Sequence, residues 1–352
     1  MATLSPRKLT AEELDALGRE LDALRDQVKQ DLGERDVRHI RRIITLVHQT
    51  EAAGRGLLHV GLDPVTFALG SLTLGVSKIL ENMEVGHNVL HGQYDWTGDP
   101  ELASSTYDWD HPCSAKDWKE FHNFTHHTYT NILGKDRDVG YDFFRVTPQQ
   151  KWQPYHLVQP LAVAWLAFNF EWGVAIHNHG WSDALRGEKP WRQCLSDSKD
   201  FVRKAAWQIG KDYAFYPLLA LLSAPRVLAG NYLANTLRDI WTFSIIWCGH
   251  FPEGVSFFTS EEASDSSRGA WYLRQALGSA NIEGTRLFHV MTGHLSHQIE
   301  HHLFPDIPAS RYPEMAPQVR SILAKYGQPY NTGSLWKQLG STLKAVLVNS
   351  LP

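Results

Sequence analysis

The chain is poor in the features that mark several common protein classes. Its 352 residues include only three cysteines, Cys113, Cys194 and Cys248, and none of them forms a CxxC pair. That scarcity argues against a disulfide framework, a zinc ribbon or a thioredoxin-like centre, and it suits a reducing cytosol. The formal net charge of −4 at pH 7 shows no basic excess, so a nucleic-acid partner is not expected.

Long uninterrupted apolar runs are also missing. A membrane-spanning helix needs about 20 predominantly apolar residues. Mean hydropathy is only −0.31, whereas a multi-span transporter is far more apolar. A small membrane-embedded part under a large cytosolic cap would reconcile these observations. Five segments approach helix-length apolar character, with charges or prolines interrupting several of them: roughly residues 43–60, 65–79, 155–176, 213–234 and 240–251.

The N-terminal residues are charged and contain no apolar core, so we do not expect a secretory signal there. Thr10 followed by Glu13 predicts a capping box that opens an amphipathic helix. We therefore expect residues 1–37 to form a cytosolic segment, residues 38–325 a membrane domain and residues 326–352 a cytosolic tail.

Histidine and tryptophan are abundant, with 18 and 13 residues. Tryptophan is favoured where one end of the ring is apolar and the other is wet, as at a membrane interface. Histidine clusters lie near residues 87–127 and 297–302, and they can share one site only if an even number of membrane crossings separates them. Three apolar segments intervene, so one of them, at about 155–178, is expected to lie flat on the interface.

The predicted fold is an all-α integral membrane protein with four transmembrane helices and a cytosolic helical cap. Polar breaks at Asp63-Pro64 and at residues 235–238 predict tight hairpins between neighbouring helices. Basic residues before the first and fourth apolar segments place those flanks in the cytosol. The expected spans cover about residues 43–60, 65–86, 213–233 and 236–251.

Three histidine clusters have spacings that suit metal binding. Histidines four residues apart lie on one face of a helix, and two of the clusters end in a histidine pair. The clusters are HNVLH (His87, His91), HNFTHH (His122, His126, His127) and QIEHH (Gln298, His301, His302).

The number and type of these ligands indicate two metal ions in the cytosolic cap. A structural zinc site uses four ligands, whereas the clusters offer seven histidines. Imidazole suits iron, zinc, copper and nickel, and an all-imidazole shell is neutral, which leaves an iron pair strongly electrophilic and suited to attack on an unactivated C–H bond. A metal-binding membrane transporter is the alternative from another class, but transporters place their ligands mid-membrane on broken helices.

The three boxes, in this order, resemble the membrane fatty-acid desaturase superfamily over about residues 43–312. The strings ENMEVGHNVLHGQYDW, HNFTHHTYTNILGKDRDVG, CGHFPEG and HQIEHHLFPDIP are similar to its bacterial acyl-CoA desaturase branch. The resemblance implies that the seven box histidines are ligands of a di-iron centre, with His250 as a further ligand. Gln298 departs from the more common histidine, so Gln298, neighbouring His297 or a water completes the shell; we favour Gln298.

The resemblance also implies an O₂-dependent enzyme that introduces a cis double bond into a long-chain acyl substrate, with acyl-CoA favoured over acyl-lipid. The motifs do not define the position of the double bond, for which position 9 is one candidate. A di-iron hydroxylase of the same superfamily is the alternative. No HPGG element of a fused cytochrome b5 domain is present, so electrons are expected from a separate ferredoxin-like or flavin reductase. The active site is expected on the cytosolic face of a bacterial inner membrane.

Other polar residues near the boxes are expected to have lesser roles. His177 and His179, outside the boxes, are expected to be dispensable. The basic stretch 186–211 is expected to be flanking charge, with contact to CoA phosphates or an acidic redox partner as the alternative. Four carboxylates are expected to be surface or capping residues rather than partners of ligating imidazoles: Glu84, Asp136, Asp138 and Glu300.

Overall fold

The computed structural model describes residues 6–177, 179, 181–185 and 187–352. Most of this part of the chain is helical, and the only strands within it are the short parallel pair β1 (Asn281–Glu283) and β2 (Thr332–Ser334). The predicted all-α class is therefore confirmed.

Long helices form the start of the described chain, and shorter ones surround the histidine boxes. The helices are α1 (Ala11–Gln30), α2 (Glu34–Val60), α3 (Pro64–Leu80), α4 (His87–Leu90), α5 (Ala115–Trp118), α6 (His127–Tyr129), α7 (Gln159–Phe168) and α8 (Phe170–His177). π-Helices Glu81–Gly86 and Lys119–His126 lead into α4 and α6, and 3₁₀ turns cover Asp95–Thr97, Val139–Asp142 and Pro154–Val158.

The longest helix in the second half of the chain is α13. The helices of this half are α9 (Trp181–Leu185), α10 (Trp191–Asp197), α11 (Lys199–Ile209), α12 (Tyr216–Leu219), α13 (Ala224–His250), α14 (Arg268–Leu277), α15 (Arg286–Met291), α16 (Gln298–Leu303), α17 (Tyr312–Lys325) and α18 (Leu335–Asn349). A π-helix, Gly210–Phe215, joins α11 to α12, and 3₁₀ turns cover Leu221–Ser223, Leu295–His297 and Ala309–Arg311.

The predicted hairpin at Asp63-Pro64 is confirmed. Asp63 caps α3, since its Oδ1 accepts hydrogen bonds from the backbone N–H groups of Val65 (2.8 Å) and Thr66 (3.0 Å). Pro64 takes the first helical position, where its missing N–H costs nothing. Helices α2 and α3 consequently run back along one another.

Glycines allow α2, α3 and α13 to pack closely. A Cβ at Gly54 would stand 2.7 Å from the backbone nitrogen of Leu74, and one at Gly230 would stand 2.5 Å from Cδ2 of Leu58. Both distances are far below van der Waals contact, so a larger residue at Gly54 would push the α3 backbone away and one at Gly230 would displace the Leu58 side chain. This three-helix unit leads into α4, which carries the first box, and into His250 at the end of α13.

The predicted hairpin at residues 235–238 is wrong, because α13 continues through them. The polar side chains there are buried and paired: Asn235 donates a hydrogen bond to Asp212 (3.2 Å), and Arg238 forms an ion pair with Glu171. The chain turns instead at Leu221–Ser223, where Leu221 has a φ of 48°.

No helix within the described residues combines the length and the apolar character that a membrane crossing requires. The four predicted spans therefore remain a prediction.

The two terminal segments pack onto the rest of the molecule. The predicted capping box of Thr10 and Glu13 is present at the start of α1, and α1 packs against α14 and α17. Near the other end, α18 packs against α13 and α7. In the segment predicted to lie on the interface, 155–178, residues 155–177 are helical except for an interruption at Asn169 between α7 and α8, and residue 178 lies outside the described residues.

Candidate metal centre

The three boxes converge on one site between α4, the Lys119–His126 π-helix, α13 and α16. Histidines from different boxes approach closely: the ring centroids of His91 and His122 are 5.2 Å apart, and those of His87 and His301 are 4.9 Å apart. The shared helical face predicted for HNVLH is present, since the rings of His87 and His91 are 4.6 Å apart.

Two sets of ligand atoms emerge from this cluster, each with all atoms within 4.8 Å of one another. We call His87, His91, His122 and His301 group one. We call His126, His250 and His302 group two. The Nε2 atoms of His250 and His302 are 3.3 Å apart.

His127 lies between the two groups. Its ligand atom falls within the same 4.8 Å limit of those of His301 and His302. Its ring stacks on that of His302 with centroids 4.5 Å apart. The seven box histidines and His250 therefore form one continuous cluster.

Gln298 and His297 point to different places. The Nε2 atom of Gln298 is 2.9 Å from Nε2 of His250, and its Oε1 is buried. The ring of His297 instead packs against His289, with centroids 4.5 Å apart. The structure thus places Gln298 beside group two and His297 outside both groups. A Cβ at Gly249 would stand 2.9 Å from Cγ of Gln298, so glycine at this position allows the contact.

Several buried imidazole nitrogens of the cluster have no hydrogen-bond partner in the described part of the chain, which is what a metal site requires of its ligand atoms. Among the described residues, Nε2 has no hydrogen-bond partner in His87, His91, His122, His126, His127 and His301. An unsatisfied buried polar group costs about 1–3 kcal/mol, so six of them would cost as much as the whole stability of a typical domain, about 5–15 kcal/mol. Metal coordination at these atoms removes that cost.

The protonation states of most of these imidazoles also suit coordination. Burial lowers the pKa of His87 to about 3 and holds the pKa values of His91, His301 and His302 well below the usual range. Neutral imidazole keeps a lone pair for a metal, whereas the cation has none. For His126, burial lowers the pKa, but the nearby Asp136 carboxylate outweighs it and raises the pKa to about 9.

Asp136 and Asp138 contact histidines of the second box, so the expectation of a surface role is wrong for both. Nδ1 of His126 lies 3.1 Å from Oδ1 of Asp136, and Asp136 also accepts a hydrogen bond from the Asn131 backbone (2.8 Å). Asp138 lies 3.6 Å from Nδ1 of His126 and 4.0 Å from Nδ1 of His122. Such contacts fix the ring orientation of a metal ligand.

Sequence reasoning missed further partners. Oε1 of Gln275 is 2.9 Å from Nδ1 of His302, and the hydroxyl of Tyr312 is 3.5 Å from Nδ1 of His301. The ring of Trp118 stacks on His122 with centroids 4.5 Å apart. These residues stand outside the histidine motifs, so no spacing rule identifies them.

The other carboxylates and histidines near the boxes take varied positions. Burial raises the pKa of Glu300 to about 7 while Asn281 and Tyr330 donate hydrogen bonds to it. His177, predicted to be dispensable, lies 3.4 Å from Asp138 and so contacts the outer part of the centre. His179 lies away from it, 3.9 Å from Asp117.

The basic stretch 186–211 is largely neutralised in the structure. Lys189 pairs with Asp197 (2.9 Å), and Lys204 pairs with Asp108 (2.8 Å). Arg186 lies outside the described residues. The fully exposed positive stripe that a strong anion site would need is therefore not formed by these lysines.

A cavity of about 70 Å³ adjoins the cluster. Histidines of both groups line one side, and Phe170, Val174 and Ile246 line another. Trp109 and His111 line the cavity and also an open surface groove. These two residues therefore lie between the cavity and the groove.

Comparisons with known proteins agree with this geometry. A family model described as fatty acid desaturase matches residues 63–334. An NADPH-dependent stearoyl-CoA 9-desaturase from Mycobacterium tuberculosis (strain CDC 1551 / Oshkosh) is 44% identical over 348 residues, covering 98% of this chain and 82% of the relative. An sn-1 linoleoyl-lipid 6-desaturase from Synechocystis is 28% identical, covering 78% of each chain.

Proposed function

The chain belongs to the fatty acid desaturase family, and we propose that it places a cis double bond at position 9 of a long-chain acyl-CoA with an iron pair held by the histidine boxes. As a fatty acid desaturase it is an oxidoreductase of lipid metabolism. The observation that carries the proposal is the convergence of eight imidazoles beside one largely apolar cavity.

The proposed ligands are the members of group one and group two, with His127 between them and Gln298 next to His250. Imidazole nitrogen suits iron, and the unpaired Nε2 atoms offer suitable lone pairs. When bound, an iron pair supplies the oxidising power, drawn from O₂ and two external electrons, that removes hydrogens from unactivated methylenes. Gln298 would contribute its amide oxygen, which is a harder and weaker donor than imidazole.

The protein's own residues hold the ligands and position the substrate. Asp136 accepts the Nδ1 proton of His126, which leaves Nε2 free to face the centre. Gln275 does the same for His302. The apolar walls at Phe170 and Ile246 exclude water from the acyl chain, and the shape of the cavity determines which methylenes lie beside the metal ligands.

Support for an acyl-CoA substrate comes from the mycobacterial relative, whose name specifies stearoyl-CoA and position 9. The surface groove beside Trp109 and His111 also carries Arg203 and Lys204. Two aspartates, Asp108 and Asp110, also line the groove, and the exposed Arg203 lies 3.5 Å from Asp200. The groove is therefore only weakly basic, but the guanidinium of Arg203 matches the geometry of a phosphate. We propose that the CoA phosphates lie against Arg203, with the acyl chain in the cavity.

The electron donor and the membrane arrangement complete the proposal. The same relative is named as NADPH-dependent, so we propose NADPH as the electron source, acting through a separate reductase or ferredoxin-like protein. We also propose that the α2–α3 hairpin and α13 enter the lipid bilayer with the metal centre on the cytosolic side. The exposed apolar side chains of Leu62, Val65 and Leu222 near the helix turns support this orientation.

Expression in a desaturase-deficient host tests the function directly. Mass spectrometry should locate a new cis double bond at position 9 of a saturated acyl chain, and labelled O₂ should put its label in water. Label in the lipid would identify a hydroxylase, and an unchanged lipid profile with wild-type protein present would contradict the proposal.

A further inference from the structure

A second cluster of potential metal ligands lies outside the histidine boxes. It consists of His39 on α2, Glu84 in the Glu81–Gly86 π-helix and His294 just before the 3₁₀ turn Leu295–His297. Nε2 of His39 is 2.6 Å from Oε1 of Glu84, and Nδ1 of His294 is 2.9 Å from Oε2 of the same carboxylate. One ligand atom from each residue lies within 4.8 Å of the other two. The cluster shares no residue with group one, group two or His127.

The backbone is distorted at two of the three positions. Glu84 lies in a π-helix, a conformation found often at functional sites. His294 has a φ of 56°, in the left-handed region that costs energy for a residue with a side chain. Gly293 before it has a φ of 61°, and a Cβ there would stand 2.2 Å from the carbonyl oxygen of Met83. The loop is thus pressed against the π-helix in a conformation that brings His294 to Glu84.

The charge of the buried carboxylate is the second argument. Glu84 is only 1% exposed, and the side-chain contacts described for it are with the two imidazoles. A buried ionised carboxylate is costly unless it is paired with a positive charge. The two imidazoles are placed to donate hydrogen bonds to this carboxylate, and a divalent cation bound by all three side chains would add a balancing positive charge by direct coordination.

The ligand types narrow the choice of ion. Two histidines and one carboxylate form the protein ligand set of many zinc sites and of mononuclear non-haem iron sites, with water in the open positions. We propose that His39, Glu84 and His294 bind one divalent transition-metal ion, zinc or iron(II), separate from the iron pair. This ion has a structural role: it links α2 to the π-helix that leads into His87 and to the loop that leads into Gln298.

Metal analysis of the purified full-length protein tests this proposal. Wild-type protein grown with both metals should carry one ion per chain more than the box histidines hold, and growth with zinc or iron as the single added metal identifies it. His39→Ala should lose that one ion, as should His294→Ala. His48→Ala is the matched control, because His48 is an exposed histidine on the same helix, and it should retain the full content.

The outcomes also separate this proposal from the proposed function. His301→Ala should deplete the iron pair and keep the additional ion, whereas His39→Ala should do the reverse. An extra ion that disappears in His39→Ala supports the second site even if the box irons are absent. Equal metal content in wild type, His39→Ala and His294→Ala would overturn it. His39 is partly exposed, so its truncation is not expected to prevent folding.

Discussion

Group one and group two of the metal centre are built in different ways. All four members of group one come from the histidine boxes. Group two takes one histidine from the second box and one from the third, but its remaining member, His250, comes from α13, and Gln298 lies against it. The motifs therefore contain every member of group one, although tertiary packing brings the three boxes together, whereas group two also needs the packing of α13 against α16.

The surroundings of the two groups differ as well. In group two, His126 contacts Asp136 at 3.1 Å and His302 contacts Gln275 at 2.9 Å. In group one, the contact of His301 with Tyr312 is longer, at 3.5 Å, and His122 is held by stacking on Trp118. Group two is therefore oriented by hydrogen bonds from outside the motifs. Changes to those outer residues should produce graded losses there.

The largest effect is expected at His301, the residue that belongs to group one and also contacts the ligand atom of His127. His301→Ala should reduce desaturation below detection while the protein remains inserted and folded, because one ligand position of the centre is removed. Product analysis and iron content measure this effect. His48→Ala is the control and should keep wild-type activity. An equal loss of activity in both variants would mean that the box histidines have no specific role in the reaction. Alanine at the other paired histidines should have the same effect: His126, His127 and His302.

The next largest effect is expected at Gln298, which takes the place of the more common histidine in the third box and lies beside group two. Gln298→Ala should lose most activity because it removes the side chain next to His250, while Gln298→His should keep some by placing an imidazole at the same position. His297→Ala should be mild, since His297 packs on His289 instead. Activity of the three purified variants is the measurement. An inactive His297→Ala variant together with an active Gln298→Ala variant would mean that His297, not Gln298, is the ligand.

A smaller loss is expected at Asp136, which orients His126. Asp136→Asn preserves the size of the side chain but weakens its hold on the Nδ1 proton, so metal affinity should fall by about 10–100-fold. Metal retention during dialysis against a chelator measures this separately from activity. Asp26→Asn, at an exposed position on α1, is the control. No difference between the two variants would show that the outer carboxylate has no orienting role.

The smallest effect is expected from the contact between α13 and α16. Gly249→Ala places a Cβ 2.9 Å from Cγ of Gln298, and overpacking of this kind costs about 1–3 kcal/mol. We expect a lower thermal midpoint and partial loss of activity. Gly56→Ala adds the same methyl group to helix α2 where it meets open space, so it should be neutral. A neutral Gly249→Ala variant would mean that Gln298 can move without harm.

The sequence predicted the parts of this molecule that depend on local spacing. His87 and His91 share a helical face because four residues make about one turn, and the Asp63-Pro64 hairpin follows from capping rules that act within a few residues. The contact of Gln275 with His302 has no such signal, because it joins α14 to α16 through tertiary packing. Sequence motifs also could not show that Asp136 turns back onto His126 ten residues earlier.

The misplaced hairpin has a related physical cause. Asn235 and Arg238 looked like a polar turn because polarity along the chain was the only available guide. In the folded protein both side chains are buried and paired with residues distant in sequence, Asp212 and Glu171. Polar residues inside a helix bundle and polar residues in a turn are therefore indistinguishable until those partners are known.

The central claim is that group one and group two each hold one iron of a pair. Iron analysis of wild type, His91→Ala and His250→Ala tests it most directly, because each substitution removes a ligand from one group alone. We expect each single variant to lose one iron of the pair and the His91→Ala, His250→Ala double variant to lose both. A wild-type protein that is active with a single iron, or with zinc in place of iron, would contradict the assignment of one iron to each group.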